Sequence, residues 1–195
     1  MRRWNLLLIA FASASAGQQY TVVVGDYSHI GGSTVEKAVM LADQILERAG
    51  VPVRWVVCPV VQIEDRFAAN CPEMVQLPDA FLKIVPQDAG HLKERTAMGL
   101  ALPDADSMQP NSAYVFYVRV RQAAQALDCA PYMVLGHAMA HEIGHLLGSK
   151  HSKRGVMQPD WKNSIIGEMS RGLLNFSPEQ AEIMRGAVEK RAERR

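Results

Sequence analysis

Three histidines and one glutamate lie close together between positions 141 and 151. His141 and His145 are four residues apart, so on a helix they share one face and their imidazoles can bind the same ion. Zinc is a metal that accepts imidazole ligands at this spacing. Glu142 follows the first histidine and points to one side of it. We expect its carboxylate to hydrogen-bond a water beside the metal rather than to bind the metal.

His151 can complete this group only if the helix ends before it. On a continued helix, His151 would lie about 15 Å along the axis from His141 and out of reach of the same ion. Gly148 lies between the last two histidines and can adopt the left-handed conformation that ends a helix and reverses the chain. The spacing therefore predicts two helical ligands, a turn at Gly148 and a third ligand that folds back. Three protein ligands leave one position for water, which is typical of catalytic zinc sites.

The window from His141 to His151 matches HExxHxxGxxH and so resembles the metzincin clan of zinc metalloendopeptidases. This resemblance implies that all three histidines bind one catalytic zinc ion and that Glu142 is the general base. It also implies that Met157 lies in a tight turn beneath the zinc ligands, a turn that metzincins share. The alternative for Met157 is an ordinary core methionine, and the alternative for the histidines is a pair of buried, hydrogen-bonded side chains.

The residues after His151 are most similar to those of the matrixins. Ser152 follows the third histidine directly, and the segment 157–161 resembles the matrixin Met-Tyr-Pro-x-Tyr pattern. In matrixins the end of that segment forms the outer wall of the S1′ specificity pocket. The resemblance therefore implies that Pro159 and Trp161 contact substrate. Gln158 and Trp161 stand where the pattern has tyrosine, so this wall departs from the matrixin one.

The elements that must position these residues indicate an α/β (α+β) metzincin-like fold. Apolar runs predict a five-stranded, mostly parallel sheet with strands at 20–24, 53–57, 81–85, 98–102 and 114–120. Helical periodicity predicts two long helices at residues 33–49 and 131–147, the first with a capping box at Ser33 and Glu36. A C-terminal helix is predicted to begin at Ser177, which is followed by proline and, three residues on, by Gln180.

Residues 98–102 match the strand that forms the antiparallel sheet edge of metzincins, where the substrate backbone is paired. This resemblance makes Gly99, Leu100 and Ala101 candidate substrate-binding residues, since an exposed edge can accept an extended peptide as an added strand. An edge without a substrate role is the alternative. His137, one helical turn before His141, is expected either to line the cleft or to be a hydrogen-bonded core histidine.

The first sixteen residues have the order of a secretory signal peptide. Two arginines precede a short apolar run, and Ala14 and Ala16 offer small residues at the spacing of a cleavage site. We therefore expect residues 1–16 to be removed and residues 17–195 to form a single metzincin-like catalytic domain, secreted or periplasmic. A membrane anchor or a buried first helix is the alternative for this segment.

The composition limits the partners and cofactors of the chain. Its 195 residues carry 21 Lys+Arg and 20 Asp+Glu, a net charge of +1, which gives no electrostatic footprint for nucleic acid. No second long apolar run follows the first, so no membrane contact is expected after cleavage. Asp104 and Asp106 are two acids in one predicted loop, which leaves calcium binding open. Cys58 and Cys71 are predicted to form a disulfide because they are neighbours in sequence, with three free thiols as the alternative.

Together these patterns predict a secreted zinc-dependent endopeptidase that cleaves protein or peptide substrates. Its zinc-activated water would be deprotonated by Glu142. A second hypothesis is a secreted zinc-binding protein with little or no turnover. A third is a structural protein in which the motif arose by chance, which predicts that no metal binds.

Overall fold

A computed structural model describes residues 19–63, 66–69, 78–87, 97–103, 111–161 and 165–194. The predicted signal peptide at 1–16 lies outside these residues, as do Cys71, Asp104 and Asp106. The elements follow one another as β1 Tyr20–Asp26, α1 Gly32–Arg48, β2 Val53–Cys58, β3 Val60–Ile63, β4 Arg66–Ala69, β5 Ala80–Val85, β6 Gly99–Leu102, β7 Asn111–Phe116, α2 Tyr117–Ala126, α3 Pro131–Leu146, α4 Ile166–Ser170 and α5 Pro178–Glu193.

Five of the strands form one mostly parallel sheet in the order β2-β1-β5-β7-β6. β1 pairs in parallel with β2 and β5, and β5 pairs in parallel with β7. Only β6 is antiparallel within this sheet, where it pairs with β7 and forms one edge. The predicted five-stranded, mostly parallel sheet with an antiparallel edge is therefore confirmed.

The two long helices form the layer that covers this sheet. α1 presents a buried stripe that includes Val35, Ala38, Ala42 and Ile45, spaced as the helical period requires. α3 is buried over most of its length because it packs against α1, α2 and the edge of the sheet. Its bounds and those of α1 agree with the predicted helices to within one residue. The helix that carries the functional residues is thus the central element of the core.

The predicted strand at 114–120 is only partly correct. The strand β7 ends at Phe116, and the chain continues directly as α2 from Tyr117. β-branched and aromatic residues in this run favour a strand, but Val120 and Ala124 are buried one helical turn apart, against α3. Tertiary packing therefore overrides the local preference.

Two further local predictions differ from the structure. Helix α1 has Gly31 at its N-cap with no side-chain hydrogen bond, so the predicted capping box at Ser33 is wrong. The short hairpin of β3 and β4 forms a separate two-stranded sheet that the sequence patterns did not indicate. By contrast, the capping box at Ser177 and Gln180 that begins α5 is confirmed, with both reciprocal hydrogen bonds present.

Two of the three cysteines lie within the described residues. Cys58 is disulfide-bonded and Cys129 is a free thiol; Cys71, the predicted partner of Cys58, lies outside the described residues. Within the part of the chain that the structure describes, no helix has the length and apolar content needed to cross a membrane.

Candidate metal and catalytic site

Helix α3 holds most of the polar side chains of the candidate site inside the core. Pro131 begins the helix, where a missing N–H costs nothing, and the remaining residues are mostly small or apolar. His137, His141 and Glu142 are nonetheless buried on it, at 0%, 9% and 5% exposure. Buried ionisable groups are costly unless a partner or a ligand compensates them. Their presence on an otherwise apolar helix therefore makes this part of α3 the candidate functional site.

The three predicted ligands converge on one point. The Nε2 atom of His145 lies 3.1 Å from Nε2 of His141 and 3.1 Å from Nε2 of His151. The remaining pair, His141 and His151, is separated by 3.3 Å. Nitrogen atoms bound tetrahedrally to zinc at 2.0–2.1 Å lie about 3.3 Å apart, so this triangle fits a zinc ion.

Two backbone carbonyls fix the tautomers of the helical histidines. Nδ1 of His141 donates to the carbonyl of Val156 at 2.8 Å, and Nδ1 of His145 donates to the carbonyl of Ser149 at 2.8 Å. A carbonyl can only accept, so Nδ1 carries the proton in both rings and Nε2 presents a lone pair to the centre of the triangle. These are the outer hydrogen bonds that orient histidine ligands of metals.

Burial also keeps these imidazoles neutral. Burial, with a smaller contribution from the neighbouring imidazoles His145 and His151, lowers the pKa of His141 to about 4, although the hydrogen bond to Val156 opposes this shift. The pKa of His145 is lowered by burial and by His151. A metal ligand must be the neutral imidazole, so the site selects the protonation state that zinc requires.

The turn that delivers His151 forms as the spacing predicts. Gly148 has a φ of +87°, in the left-handed region. Its N–H donates to the carbonyl of His145, and the N–H of Ser149 donates to the carbonyl of Gly144, which closes the end of α3. The chain then reverses and brings His151 back to the face that carries the other two histidines.

Glu142 lies beside the histidines and against the sheet edge. A Cβ atom on Gly99 would lie 2.6 Å from Cδ of Glu142 and 2.6 Å from the carbonyl oxygen of Tyr114. The carboxyl group therefore occupies the space that a side chain at position 99 would need. Burial raises the pKa of Glu142 to about 8, and a divalent cation nearby would favour the ionised form and lower that pKa.

Met157 and Trp161 both pack against α3 near the histidines. Met157 is fully buried, with its sulfur 2.8 Å from where a Cβ on Gly144 would lie, so it sits under the helix between two ligands. The indole ring of Trp161 meets the rings of His141 and His137 edge-on, each at 6.1 Å between ring centroids. Trp161 thus borders two of the histidines on α3.

For the other predicted substrate-binding residues the structure gives a position but no contact with the histidines. Pro159 is exposed and lines a cavity of about 320 Å³ with Gln158 and Ile165. Leu100 and Ala101 lie opposite Tyr114 and Ala113 in the β6–β7 pairing. Among the described strands β6 pairs with β7 alone, so no described strand occupies its other side.

His137 is a buried histidine whose role the sequence left open. Its Nδ1 atom donates to the carbonyl of Met133 at 2.7 Å, one helical turn earlier. Its Nε2 atom and the Nε1 atom of Trp161 are both buried and have no hydrogen-bond partner among the described residues. The helical spacing from His141 indicated that His137 shares the ligand face, but only the packing shows Trp161 beside it.

No protein-family model and no curated protein sequence matches the chain. Among solved structures, it is similar to archaemetzincin from Methanopyrus kandleri, with a TM-score of 0.57 and 13% identity over 90% of this chain and 99% of that one. The chain has an archaemetzincin-like fold. A zinc-dependent peptidase from Methanocorpusculum labreanum is also similar, with a TM-score of 0.52 and 15% identity over 84% of this chain and 99% of that one. In this archaemetzincin-like fold the three histidines meet at the end of α3, beside the antiparallel strand β6.

Proposed function

We propose that the chain is a zinc-dependent peptidase in which His141, His145 and His151 hold one zinc ion and Glu142 is the general base. The observation that carries this proposal is the triangle of Nε2 atoms, 3.1–3.3 Å on each side, next to a buried carboxyl group. The zinc peptidase with a similar fold supports the proposal. A structural protein with a chance motif would have no reason to bring three imidazole Nε2 atoms together at one point.

The residues divide the chemistry between them. A bound zinc ion supplies Lewis acidity, which makes a water easier to deprotonate and polarises a peptide carbonyl. Glu142 accepts the proton of the attacking water and passes it to the leaving amine. The carbonyls of Val156 and Ser149 hold the two helical imidazoles in the tautomer that binds metal. Gly99 leaves room for the carboxyl group of Glu142 at the sheet edge.

An extended polypeptide is the substrate that the edge of the sheet can accept. The side of β6 that no described strand pairs with would offer backbone groups at Gly99, Leu100 and Ala101 to a strand laid beside it. We propose that cleavage occurs within chains, as in the matrixin-like endopeptidases that residues 152–161 resemble. Trp161, and Pro159 two residues before it, form the wall met by the residue after the scissile bond.

We further propose that the peptidase acts outside the cytoplasm, secreted or periplasmic. Residues 1–16 would direct export as a signal peptide and be removed, which leaves residues 17–195 as the catalytic domain. The disulfide at Cys58 supports this proposal, because disulfides persist in oxidising compartments.

The test is cleavage of an unfolded protein by the purified chain, beside Glu142→Ala. We expect wild-type cleavage to fall by about 10²–10⁴-fold in the variant while both proteins retain one zinc ion. Glu189→Ala is the matched control, because Glu189 is exposed on α5 and should leave cleavage unchanged. Cleavage that survives in Glu142→Ala, or in a strong zinc chelator, would contradict the proposed mechanism.

One observation favours a second candidate, a zinc-binding protein with little turnover. Burial raises the pKa of Glu142 to about 8, and the carboxyl group can act as a base at neutral pH only if a bound cation lowers that pKa. The same experiment separates the two candidates. Zinc bound at one equivalent with no cleavage of any unfolded substrate would favour the binding protein.

A further inference from the structure

A groove of about 820 Å³ runs along α5 and reaches His145 of the candidate metal site. We call it the α5 groove and define it by six of its lining residues: Tyr20, Pro103, Leu146, Gly148, Ile183 and Ala187. His145 also lines it, so the groove and the proposed zinc site share a side chain. Pro103 directly follows the last residue of β6, so the groove also begins where the free sheet edge ends.

The surface of the α5 groove is mainly apolar. Ile183 lines the groove from α5 and has 50% of its surface exposed, so an apolar ligand can contact it. Leu102, the last residue of β6, is 49% exposed next to Pro103. Acidic and basic residues both line the groove: Glu179 and Glu182 on one side of the balance, and Lys190, Arg191 and Arg194 on the other. A ligand of this groove therefore gains more from apolar side chains than from charge of one sign.

The position of Glu142 determines which half of a substrate would reach the groove. Its carboxyl group touches Gly99, the first residue of β6. If Glu142 protonates the leaving amine, the carboxyl-side half of the substrate must lie at that end of the strand. The amino-side half then runs past Leu102 toward Pro103, antiparallel to β6. The position of Trp161, the proposed wall for the carboxyl-side half, fits this direction. Trp161 borders His137 and His141 rather than the end of α3 that lines the groove.

The length of β6 determines which residues of the substrate would enter the α5 groove. Gly99 and Pro103 are four residues apart, which is about 13 Å in an extended strand. A substrate paired with β6 therefore places its third and fourth residues before the scissile bond at the mouth of the α5 groove.

We propose that the α5 groove binds the amino-side residues of the polypeptide substrate and selects apolar side chains at the third and fourth positions before the scissile bond. This inference rests on the proposed peptidase function. The specificity of the enzyme would then be decided largely by α5, an element that contributes neither a ligand nor the base.

Binding of product-like peptides tests this inference without turnover. The probes are fluorescein-Gly-Leu-Leu-Ala-Gly and fluorescein-Gly-Asp-Asp-Ala-Gly, whose free carboxylates represent the end released by cleavage. Fluorescence anisotropy with the zinc-loaded protein should give a dissociation constant about tenfold lower for the leucine peptide. Ile183→Asp should abolish this preference. Met40→Asp is the matched control, because Met40 is an exposed apolar residue of α1 outside the groove, and it should keep the preference.

Equal binding of both peptides to the wild-type protein would overturn the inference, and so would a preference that persists in Ile183→Asp. Circular dichroism checks that the variant is folded, and Ile183→Ser replaces it if the aspartate disrupts α5. A protein that shows the leucine preference but cleaves nothing would refute the proposed peptidase and leave the groove as a peptide-binding surface. A protein that cleaves unfolded substrates without the preference would refute the groove alone.

Discussion

At the scale of single residues, the contact between Gly99 and Glu142 links the proposed base to the sheet edge proposed to hold substrate. The two residues are far apart in sequence, yet the carboxyl group fills the space beside the Gly99 backbone. The same strand backbone is the surface proposed to hold the substrate. A substrate strand would therefore be positioned by the element against which the base rests.

Gly99→Ala should reduce cleavage strongly while the metal stays bound. The new Cβ would lie 2.6 Å from both Cδ of Glu142 and the carbonyl oxygen of Tyr114, so the carboxyl group must move away. Displacing a catalytic group by about 1 Å can cost about a hundredfold in rate. Zinc content measured by atomic spectroscopy, together with cleavage rate, checks this expectation. Unchanged cleavage would show that position 99 does not hold the base.

The convergence of the three histidines follows from their spacing in the sequence. The spacing of His141, His145 and His151 predicts their convergence, and the structure brings their Nε2 atoms within 3.3 Å of one another. The carbonyls of Val156 and Ser149 that orient two of these rings could not be predicted, because any residue type supplies a carbonyl.

At the scale of elements, the end of α3 decides whether three ligands can meet. Gly148 adopts a φ of +87°, and the hydrogen bonds around it close the helix. A residue with a Cβ atom is strained in this conformation by roughly 1–2 kcal/mol. The turn is therefore a point at which a small backbone change would alter the metal site.

Gly148→Ala should weaken zinc binding and lower the free energy of unfolding by about 1 kcal/mol. Gly148→Asn should be milder, since asparagine tolerates the left-handed region better. Gly186→Ala is the control. Gly186 lies within α5, and a Cβ atom added there would meet no neighbouring side chain within 4 Å, so alanine should be neutral or stabilising. Competition with a zinc-binding dye measures the affinity, and equal affinity in Gly148→Ala and wild type would contradict the role of the turn.

Residues 111–126 show how far elements can be predicted from local pattern. The apolar, β-branched run predicts a strand to residue 120, but the structure changes to helix at Tyr117. The helix buries Val120 and Ala124 against neighbouring elements, which no local pattern reveals. Helices α3 and α5 were predicted more closely because their periodicity and their N-terminal residues are local signals.

At the scale of the whole molecule, an ion pair ties α5 to the sheet. Nε of Arg191 donates to Oδ1 of Asp79 at 2.7 Å, and Oδ2 of the same carboxylate accepts from the backbone N–H of Thr21 at 2.8 Å. Asp79 is 3% exposed. The pair connects the C-terminal part of α5 to β1 and to the residue before β5, and so fixes one wall of the α5 groove.

Asp79→Ala should lower the free energy of unfolding by roughly 3 kcal/mol, because it leaves a partly buried guanidinium and a backbone N–H without this partner. Denaturation in urea measures the change. Glu193→Ala is the control, because Glu193 is exposed at the end of α5. A loss below about 0.5 kcal/mol, typical of surface substitutions, would show that other contacts hold α5 in place.

Removal of zinc should destabilise the whole chain. The ligands come from α3 and from the loop after Gly148, so the metal can bind strongly only to the folded chain. A ligand of this kind raises the melting temperature, and a chelator should lower it by about 5–15 °C. Added zinc should restore it, and His151→Ala should melt at the same temperature with and without chelator. A melting temperature that the chelator leaves unchanged in the wild-type chain would contradict a bound zinc ion.

The sequence by itself determined the local features of this protein: the ligand spacing on α3, the turn at Gly148 and the start of α5. Each depends on residues within a few positions of one another, where helix and strand geometry can be read directly from the order of side chains. Only the tertiary structure decided the contact of Glu142 with Gly99, the change from β7 to α2 and the α5 groove. These depend on residues that are distant in sequence, and their meeting is set by how the packed elements share one core.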